Sequence, residues 1–436
     1  YRAPKEESVL DDPNFAFNRI RKAQSLYPEL AGNGLVVCIK ERRFDIDDID
    51  LLGKSIELKL GADSESQHAT DMATIISGMG NTSPFNLGVV PAATISTSDF
   101  NNLLPDDPTL LQSNGVFTQN HSYGVGIENY YGVEAAAYDQ LANDYPTLIH
   151  VFSVGNAGTQ TPLTGTYAGL PFANLSGTFK QAKNIITVSA VDTTLTASAL
   201  NSRGPAYDGR IKPELTAYGG RGTSDAAALV SGITTMLQDA YRQKESVFPE
   251  SSLIKSILIA SAEDIGTPGP DYITGYGKVN TVKALEVIQN DWFRSVDLIH
   301  GDTLQIPIDI PANINQLRIN IAWTDPAANE GADSALVNNI NSRLLRNDGE
   351  WLPWVLNREA SEEALSAPAV KGIDHLNTVE LISADTLAED AYTLELIADL
   401  YADSARYPTR NLRQAGGYGS RCSWVCTPEF LYGSAR

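Results

Sequence analysis

The chain has 436 residues, enough for one large domain with a smaller one or for three small domains. Its 53 acidic residues outnumber 32 basic ones, giving a formal net charge of −21, which argues against binding to nucleic acid or to an anionic membrane surface. Hydrophobic residues make up 42% of the chain, so a large core is expected. No run of about 18 apolar residues occurs, and a transmembrane helix is not expected. Three cysteines are too few for a disulfide framework or a zinc site.

Strands and helices alternate over the first two thirds of the chain. Residues 1–33 are polar and contain prolines, and we expect an arm with one short helix. Continuous apolar runs then predict buried parallel strands at 35–39, 149–154 and 185–188. Apolar residues at helical spacing predict helices at 68–79, 132–143, 224–242 and 251–262. This alternation indicates a doubly wound, mostly parallel α/β sheet over residues 34–293.

A different pattern begins after residue 293. Apolar and polar residues alternate in four segments that turns separate, at 303–310, 317–323, 378–382 and 392–397. This alternation predicts a smaller all-β domain, an antiparallel β-sandwich over residues 294–405. The tail, residues 406–436, fits neither pattern, and we expect it to be loosely ordered.

The first candidate for catalysis is a serine among small residues. Ser224 lies in the segment 222–228, which follows a glycine-rich turn and opens a predicted helix. Free backbone N–H groups and the dipole at a helix N terminus favour negative charge that develops on a reacting group. An isolated serine here is more often an N-cap. The surrounding glycines and alanines instead indicate close backbone approach, so Ser224 is a candidate nucleophile.

Three further polar residues are candidates for partners of a catalytic serine, because each lies at a predicted helix start or strand end. His68 heads a predicted helix of small residues, which leaves its ring accessible as a general base. Asn156 follows the strand 149–154, and Glu41 follows the strand 35–39. At the carboxyl end of a parallel strand, an amide can donate to an oxyanion and a carboxylate can orient a histidine. Taken singly, each residue has a structural explanation, as a structural histidine, a turn asparagine or a solvated strand end.

The order carboxylate, histidine, asparagine, serine connects these residues. An acid–histidine–serine order is that of subtilisin, and the chain resembles the subtilase family of serine peptidases. The motifs that carry the resemblance are His68-Ala69-Thr70, Gly155-Asn156 and Gly222-Thr223-Ser224. The resemblance covers roughly residues 34–290. Residues 296–400 resemble the jelly-roll domain that follows the catalytic domain in some members.

The resemblance implies a secreted serine endopeptidase that acts on a protein or peptide, is a monomer and needs no cofactor for its chemistry. Ser224 would attack the scissile carbonyl, with His68 as base and Glu41 as the supporting acid. The side-chain amide of Asn156 and the backbone N–H of Ser224 would stabilise the oxyanion. An extended substrate is expected to pair with two segments, made of Ser122, Tyr123 and Gly124 and of Ser153, Val154 and Gly155.

The acid departs from the family pattern. Family members usually carry aspartate, and an alignment without gaps puts Glu41 in its place, with a side chain longer by one methylene. Asp71 is the rival acid, because it lies one helical turn after His68 and on the same face. We favour Glu41, since Asp71 occupies a position where the family usually has another histidine.

A second departure follows the nucleophile, where Asp225 replaces an apolar residue common in the family. A negative charge there could oppose the oxyanion. This charge and the altered acid motivate a second hypothesis, a catalytically impaired pseudoprotease that binds peptides or proteins. A third hypothesis, a ligase or macrocyclase that transfers the acyl group to an amine, has no sequence feature in its favour.

The acidic run 45–50 contains oxygen ligands of the kind that calcium prefers. The family resemblance implies a structural calcium ion bound by Asp50 and by a loop near Asn81. The alternative is a solvated acidic turn, and the sequence leaves both open.

Overall fold

The computed structural model describes residues 14–310, 312, 314–385, 387–400 and 419–430. Its helices are α1 (Ile20–Leu26), α2 (Gln67–Ser77), α3 (Pro108–Ser113), α4 (Val133–Asp144), α5 (Thr223–Glu245), α6 (Ser251–Ala260), α7 (Thr281–Gln289) and α8 (Glu362–Leu365). The strands of the first part are β1 (Val36–Lys40), β2 (Thr94–Ser98), β3 (Val116–His121), β4 (Ile149–Ser153), β5 (Ile186–Val191) and β6 (Leu215–Tyr218). Those of the second part are β7 (Phe293–Ile299), β8 (Thr303–Ile310), β9 (Ile314–Trp323), β10 (Asn339–Arg346), β11 (Gly349–Trp351), β12 (Trp354–Val355), β13 (Val370–Lys371), β14 (Val379–Asp385), β15 (Asp390–Asp399) and β16 (Gly419–Phe430).

The first part is a six-stranded parallel sheet in the order β2-β1-β3-β4-β5-β6. Strands β1, β4, β5 and β6 are buried along their whole length, which explains their continuous apolar sequences. The predicted fold class, a subtilisin-like α/β sheet followed by an all-β domain, is confirmed. No helix in the described residues is long and apolar enough to cross a membrane.

Helix α5 runs through the core of this part and carries Ser224 in its first turn. Every residue from Asp225 to Ala240 is buried, so the helix is enclosed on all sides. Small residues make this possible: a Cβ added at Gly232 would lie 2.6 Å from the Cβ of Val89. The N terminus of α5 therefore opens at the carboxyl edge of the sheet, where the predicted site residues lie.

The second part consists mainly of two four-stranded antiparallel sheets, ordered β11-β10-β15-β8 and β14-β9-β16-β7. The four alternating segments of the sequence correspond to β8, β9, β14 and β15. Strand β10 escaped prediction because five of its eight residues are asparagine, serine or arginine, although Ile340 and Leu344 are buried. The jelly-roll topology stays a prediction.

The expectation of a loosely ordered tail is wrong for residues 419–430. They form β16, which pairs with β7 on one side and with β9 on the other. Cys422 and Trp424 are buried between the two sheets, whereas Val425 belongs to the core of the α/β part. Burial on both faces hides the alternation that marks a half-buried strand. Residues 406–418 and 431–436, like residues 1–13 of the predicted arm, lie outside the described residues.

Candidate active site

Glu41 and His68 meet at the carboxyl edge of the sheet. Glu41 comes directly after β1, and His68 lies in the first turn of α2, whose N-cap Ser66 accepts a hydrogen bond from the N–H of Ala69. His68 Nδ1 is 2.6 Å from Glu41 Oε1. Nδ1 is assigned as the donor because its partner is a carboxylate, which leaves Nε2 able to accept a proton. The side chain of Glu41 is 8% exposed and that of His68 is 45% exposed, so the base faces solvent and its partner does not.

The electrostatic surroundings favour the protonated form of His68. The hydrogen bond to Glu41 raises the pKa of His68, and partial burial opposes this effect. The charges of Glu41, Asp225 and Asp71 raise the pKa further. An imidazolium that forms on this ring during a reaction is therefore stabilised.

Asp71, the rival acid, has other partners. Its carboxylate accepts a hydrogen bond from Gln67 Nε2 at 2.9 Å and forms an ion pair with Arg221 at 2.5 Å. In the described part of the chain, Asp71 and His68 share no hydrogen bond. Asp71 lies on the same helix face as His68 but points to the nucleophile loop.

Ser224 lies in the first turn of α5. Its N-cap is Gly222 at φ 143°, a backbone conformation that a side chain would strain. The hydroxyl of Ser224 donates to the carbonyl of Ser122 at 3.3 Å, and the hydroxyl of Ser122 donates to the carbonyl of Ser224 at 3.2 Å. A hydrogen bond from Ser224 to His68 is not among those of the described residues. Such contacts often close only when substrate binds, and rotation about χ1 would redirect the hydroxyl.

Asn156 is oriented by the residue that precedes the serine. It follows β4 and Gly155, is exposed, and accepts hydrogen bonds at Oδ1 from Thr223 Oγ1 (2.9 Å) and Thr223 N (3.3 Å). The amide orientation is assigned from these two bonds. With Oδ1 held by Thr223, the N–H groups of Nδ2 are available to a ligand beside Gly222.

The two predicted substrate-pairing segments approach the same residue, Ser176, and the space between the segments is called the slot below. The first is 122–124 and the second 153–155, and a Cβ added at either Gly124 or Gly155 would overlap the hydroxyl of Ser176. The side chain of Tyr123 does not line the slot. It is buried against other aromatic rings, with centroids 5.2 to 6.4 Å away: Phe100, Phe152 and Phe179.

Comparison with known proteins identifies this arrangement. The model of the subtilase family matches residues 32–277, more than half of the chain. The chain belongs to the subtilase family. The matched residues contain Glu41, His68, Asn156 and Ser224.

Individual relatives of this subtilase are distant. The membrane-bound transcription factor site-1 protease of Mus musculus is 29% identical over 164 residues, which are 33% of this chain and 14% of the relative. A serine protease/ABC transporter B family protein, tagA of Dictyostelium discoideum, is 25% identical over 263 residues, 48% of this chain and 15% of the relative. The subtilase thus spans less than a sixth of the length of these relatives.

Solved structures are also similar to this subtilase. The prenylagaramide maturation protease PagA aligns with a TM-score of 0.48 and 20% identity over 62% of this chain and 98% of that one. A serine protease of Aeromonas sobria aligns with a TM-score of 0.45 and 16% identity over 91% of this chain and 89% of that one.

Arg221 is a site residue of this subtilase that the sequence reasoning missed. Its Nε and Nη2 each lie 3.0 Å from a carboxylate oxygen of Asp225, and its Nη1 reaches Asp71. Arg221 therefore offsets the charge of Asp225 and ties the start of α2 to the start of α5. An arginine four residues before an aspartate is the sequence signal that could have revealed this pair.

The residues predicted to bind calcium form hydrogen bonds with each other and with their neighbours. Asp50 and Asn81 come together, but Asp50 Oδ1 accepts the backbone N–H groups of Asn81 and of Thr82 (3.1 Å). Oδ2 of Asp50 accepts from Asn86 Nδ2 at 3.4 Å. The described residues contain no group of three or more histidine, cysteine, aspartate or glutamate side chains placed to hold a metal. As placed, Asp50 and Asn81 do not form an oxygen cage, and calcium binding there stays a prediction that requires the loop to rearrange.

Proposed function

We propose that this subtilase is a serine endopeptidase that cleaves peptide bonds through an acyl-enzyme on Ser224. The observation that carries the proposal is the 2.6 Å contact between Glu41 and His68 beside the N terminus of the helix that presents Ser224. The membership in a family of serine peptidases supports the same activity.

In the proposed mechanism, Ser224 Oγ attacks the scissile carbonyl while Nε2 of His68 takes the hydroxyl proton. Glu41 holds the ring through Nδ1 and stabilises the imidazolium. The backbone N–H of Ser224 and Nδ2 of Asn156 donate to the oxyanion, and loss of one such donor typically lowers kcat by about 10²–10³. His68 then gives the proton to the leaving amine, and water hydrolyses the ester by the reverse roles.

The proposed substrate is an extended peptide between segments 122–124 and 153–155. Backbone pairing with these segments would place the scissile carbonyl between Ser224 and Asn156. Gly124 and Gly155, at the ends of the two segments, let both backbones approach the hydroxyl of Ser176, which an added Cβ would overlap. Secretion, a monomeric state and the jelly-roll topology, all implied by family resemblance, stay predictions.

One observation favours the alternative of a peptide-binding pseudoprotease. The hydroxyl of Ser224 donates to Ser122 and not to His68. The two sequence arguments for it are weakened, because Arg221 compensates the charge of Asp225 and Glu41 contacts His68 at 2.6 Å.

Incubation of the purified chain with an unfolded protein substrate distinguishes the two functions. We expect new peptide termini, identified by mass spectrometry, with the wild-type chain and none with Ser224→Ala. Ser113→Ala, at an exposed serine of α3, serves as the comparison and should cleave as the wild-type chain does. Binding of the substrate without any cleavage by the wild-type chain would support the pseudoprotease.

A further inference from the structure

Lys180 is a buried lysine that has no acidic partner among the described residues. It lies in the short helical turn Thr178–Gln181 and is 0% exposed. Its Nζ donates a hydrogen bond to the hydroxyl of Ser176 at 2.9 Å. Among the described residues, Lys180 forms no ion pair. Four other buried lysines each lie within 2.9 Å of a carboxylate, in the pairs Lys40–Asp106, Lys183–Asp325, Lys212–Glu214 and Lys255–Glu214. Buried Lys54 has no ion pair among the described residues either, but its Nζ donates three hydrogen bonds, to Ser77, Pro91 and Ala93, whereas one is described for Lys180.

Without a carboxylate nearby, the charged form of Lys180 is destabilised by burial. Removing an ammonium group from water is costly unless a negative charge lies close by. Burial accordingly lowers the pKa of Lys180 to about 7. Two acidic side chains of this region bind another residue: Glu128 accepts the N–H of Thr178 at 2.9 Å, and Glu134 accepts the hydroxyl of Thr178 at 2.5 Å. An anion that enters from outside would supply what Lys180 lacks.

Ser176 connects this cation to the substrate slot. Its hydroxyl lies where a Cβ of Gly124 or of Gly155 would point, so it lies beside both proposed substrate-pairing segments. The carbonyl attacked by Ser224 would lie between Ser224 and Asn156. In the proposed binding mode, the substrate side chain next to that carbonyl enters between the two segments, where Ser176 lies. The slot is shallow, because Ser176 already occupies the space beside both glycines.

We infer that this slot selects a substrate with a short carboxylate side chain, aspartate, at the residue whose carbonyl is attacked. This inference rests on the proposed function. Lys180 donates to Ser176 Oγ, which in turn donates its own proton to the substrate carboxylate. Ser176 is the contact residue, and Lys180 acts through it as a specificity-determining positioning residue. Aspartate fits because it carries the charge on the shortest side chain.

A series of fluorogenic peptides that differ only at this residue tests the inference. Aspartate, asparagine, alanine and phenylalanine are compared, because asparagine matches aspartate in shape and lacks its charge. We expect kcat/KM of the wild-type chain to be at least about tenfold higher for aspartate than for asparagine. Lys180→Met should bring this ratio to within about threefold of unity, and Ser176→Ala should reduce it. Lys22→Met, an exposed lysine on α1, should keep the wild-type ratio.

The outcomes separate this inference from the proposed function. Equal or faster cleavage after phenylalanine, or an aspartate-to-asparagine ratio that Lys180→Met leaves unchanged, would overturn the specificity. Binding of the same peptides to Ser224→Ala, measured by fluorescence anisotropy, tests the preference even if no peptide is cut. If no peptide is cleaved but the aspartate peptide binds at least about tenfold more tightly than the asparagine peptide, only the proposed enzyme activity would be contradicted. If Lys180→Met does not fold, as judged by circular dichroism, the ratio in Ser176→Ala decides.

Discussion

At the scale of single residues, the candidate site contains two departures from the family pattern, and a neighbouring side chain accommodates each of them. Glu41 stands where family members usually have aspartate, and its extra methylene is accommodated with a 2.6 Å contact to His68. Asp225 adds a negative charge beside the nucleophile, and Arg221 offsets it. Each of these two departures from the family pattern thus contacts a neighbouring side chain of opposite or complementary character.

Replacement of Arg221 tests this compensation. Asp225 already raises the pKa of His68, and Arg221→Gln removes the cation that offsets it. We expect the protonated form of His68 to gain stability, so that neutral base becomes available only at higher pH. The acid limb of the cleavage rate against pH should therefore move to higher pH. Arg294→Gln, in the second part of the chain, should leave this limb in place.

The double substitution Arg221→Gln with Asp225→Asn serves as the rescue. It removes both charges, and the acid limb should return towards its wild-type position. A limb that does not move in Arg221→Gln would show that the ion pair is structural and does not influence His68.

At the scale of elements, two neighbouring strands carry a buried histidine pair. His121 ends β3 and His150 lies in β4, with His121 Nε2 3.0 Å from His150 Nδ1. Both rings are enclosed: His121 stacks on Phe152 with centroids 3.9 Å apart, and His150 is 2% exposed. Burial lowers the pKa of His150 to about 3 and holds that of His121 well below its usual value. Both residues are therefore neutral in the folded chain at neutral pH.

This pair predicts a loss of stability in acid. Below a pH of about 6.5, these histidines bind protons in the unfolded chain but not in the folded chain. The free energy of unfolding therefore decreases as the pH is lowered. For His150 this loss of stability continues down to a pH of about 3. Over that range the free energy of unfolding changes by about 1.4 kcal/mol per pH unit. Urea unfolding of the wild-type chain and of His150→Gln between these pH values measures the effect. The variant should show a shallower slope. Titration of His150 near pH 6.5 in folded protein, seen by NMR, would contradict the account.

The sequence predicted those elements whose apolar pattern had one clear period. Strands β1, β4 and β5 stood out as continuous apolar runs, and β8 matched its alternating segment at both ends. Strand β16 could not be predicted, because its second face is buried only through contact with another part of the chain.

The same limit applies to the candidate site. Glu41, His68, Asn156 and Ser224 could be proposed from order and motif, because strand ends and helix starts meet at one edge of a parallel sheet. The roles of Arg221 and Lys180 could not be proposed in this way. The role of Arg221 depends on the distance between two helices, and that of Lys180 on the absence of a partner, which no sequence pattern records.

At the scale of the whole molecule, the two parts are joined by buried polar contacts. Lys183 of the α/β part forms an ion pair with Asp325 of the second part at 2.7 Å, and both side chains are 0% exposed. Asn320 of β9 contacts Ser256 of α6 at 3.0 Å. The candidate site is formed wholly by residues of the α/β part.

The measurement that tests the central claim most directly is covalent labelling by a fluorophosphonate probe, with the labelled residue identified by peptide mapping. The account predicts labelling at Ser224, no labelling in Ser224→Ala or His68→Ala, and slow labelling in Glu41→Gln. Asp71→Asn, the matched change in the rival acid, should label far faster than Glu41→Gln. A folded wild-type chain that is not labelled would contradict the acyl-transfer site. Labelling abolished by Asp71→Asn and kept in Glu41→Gln would contradict the assignment of the acid.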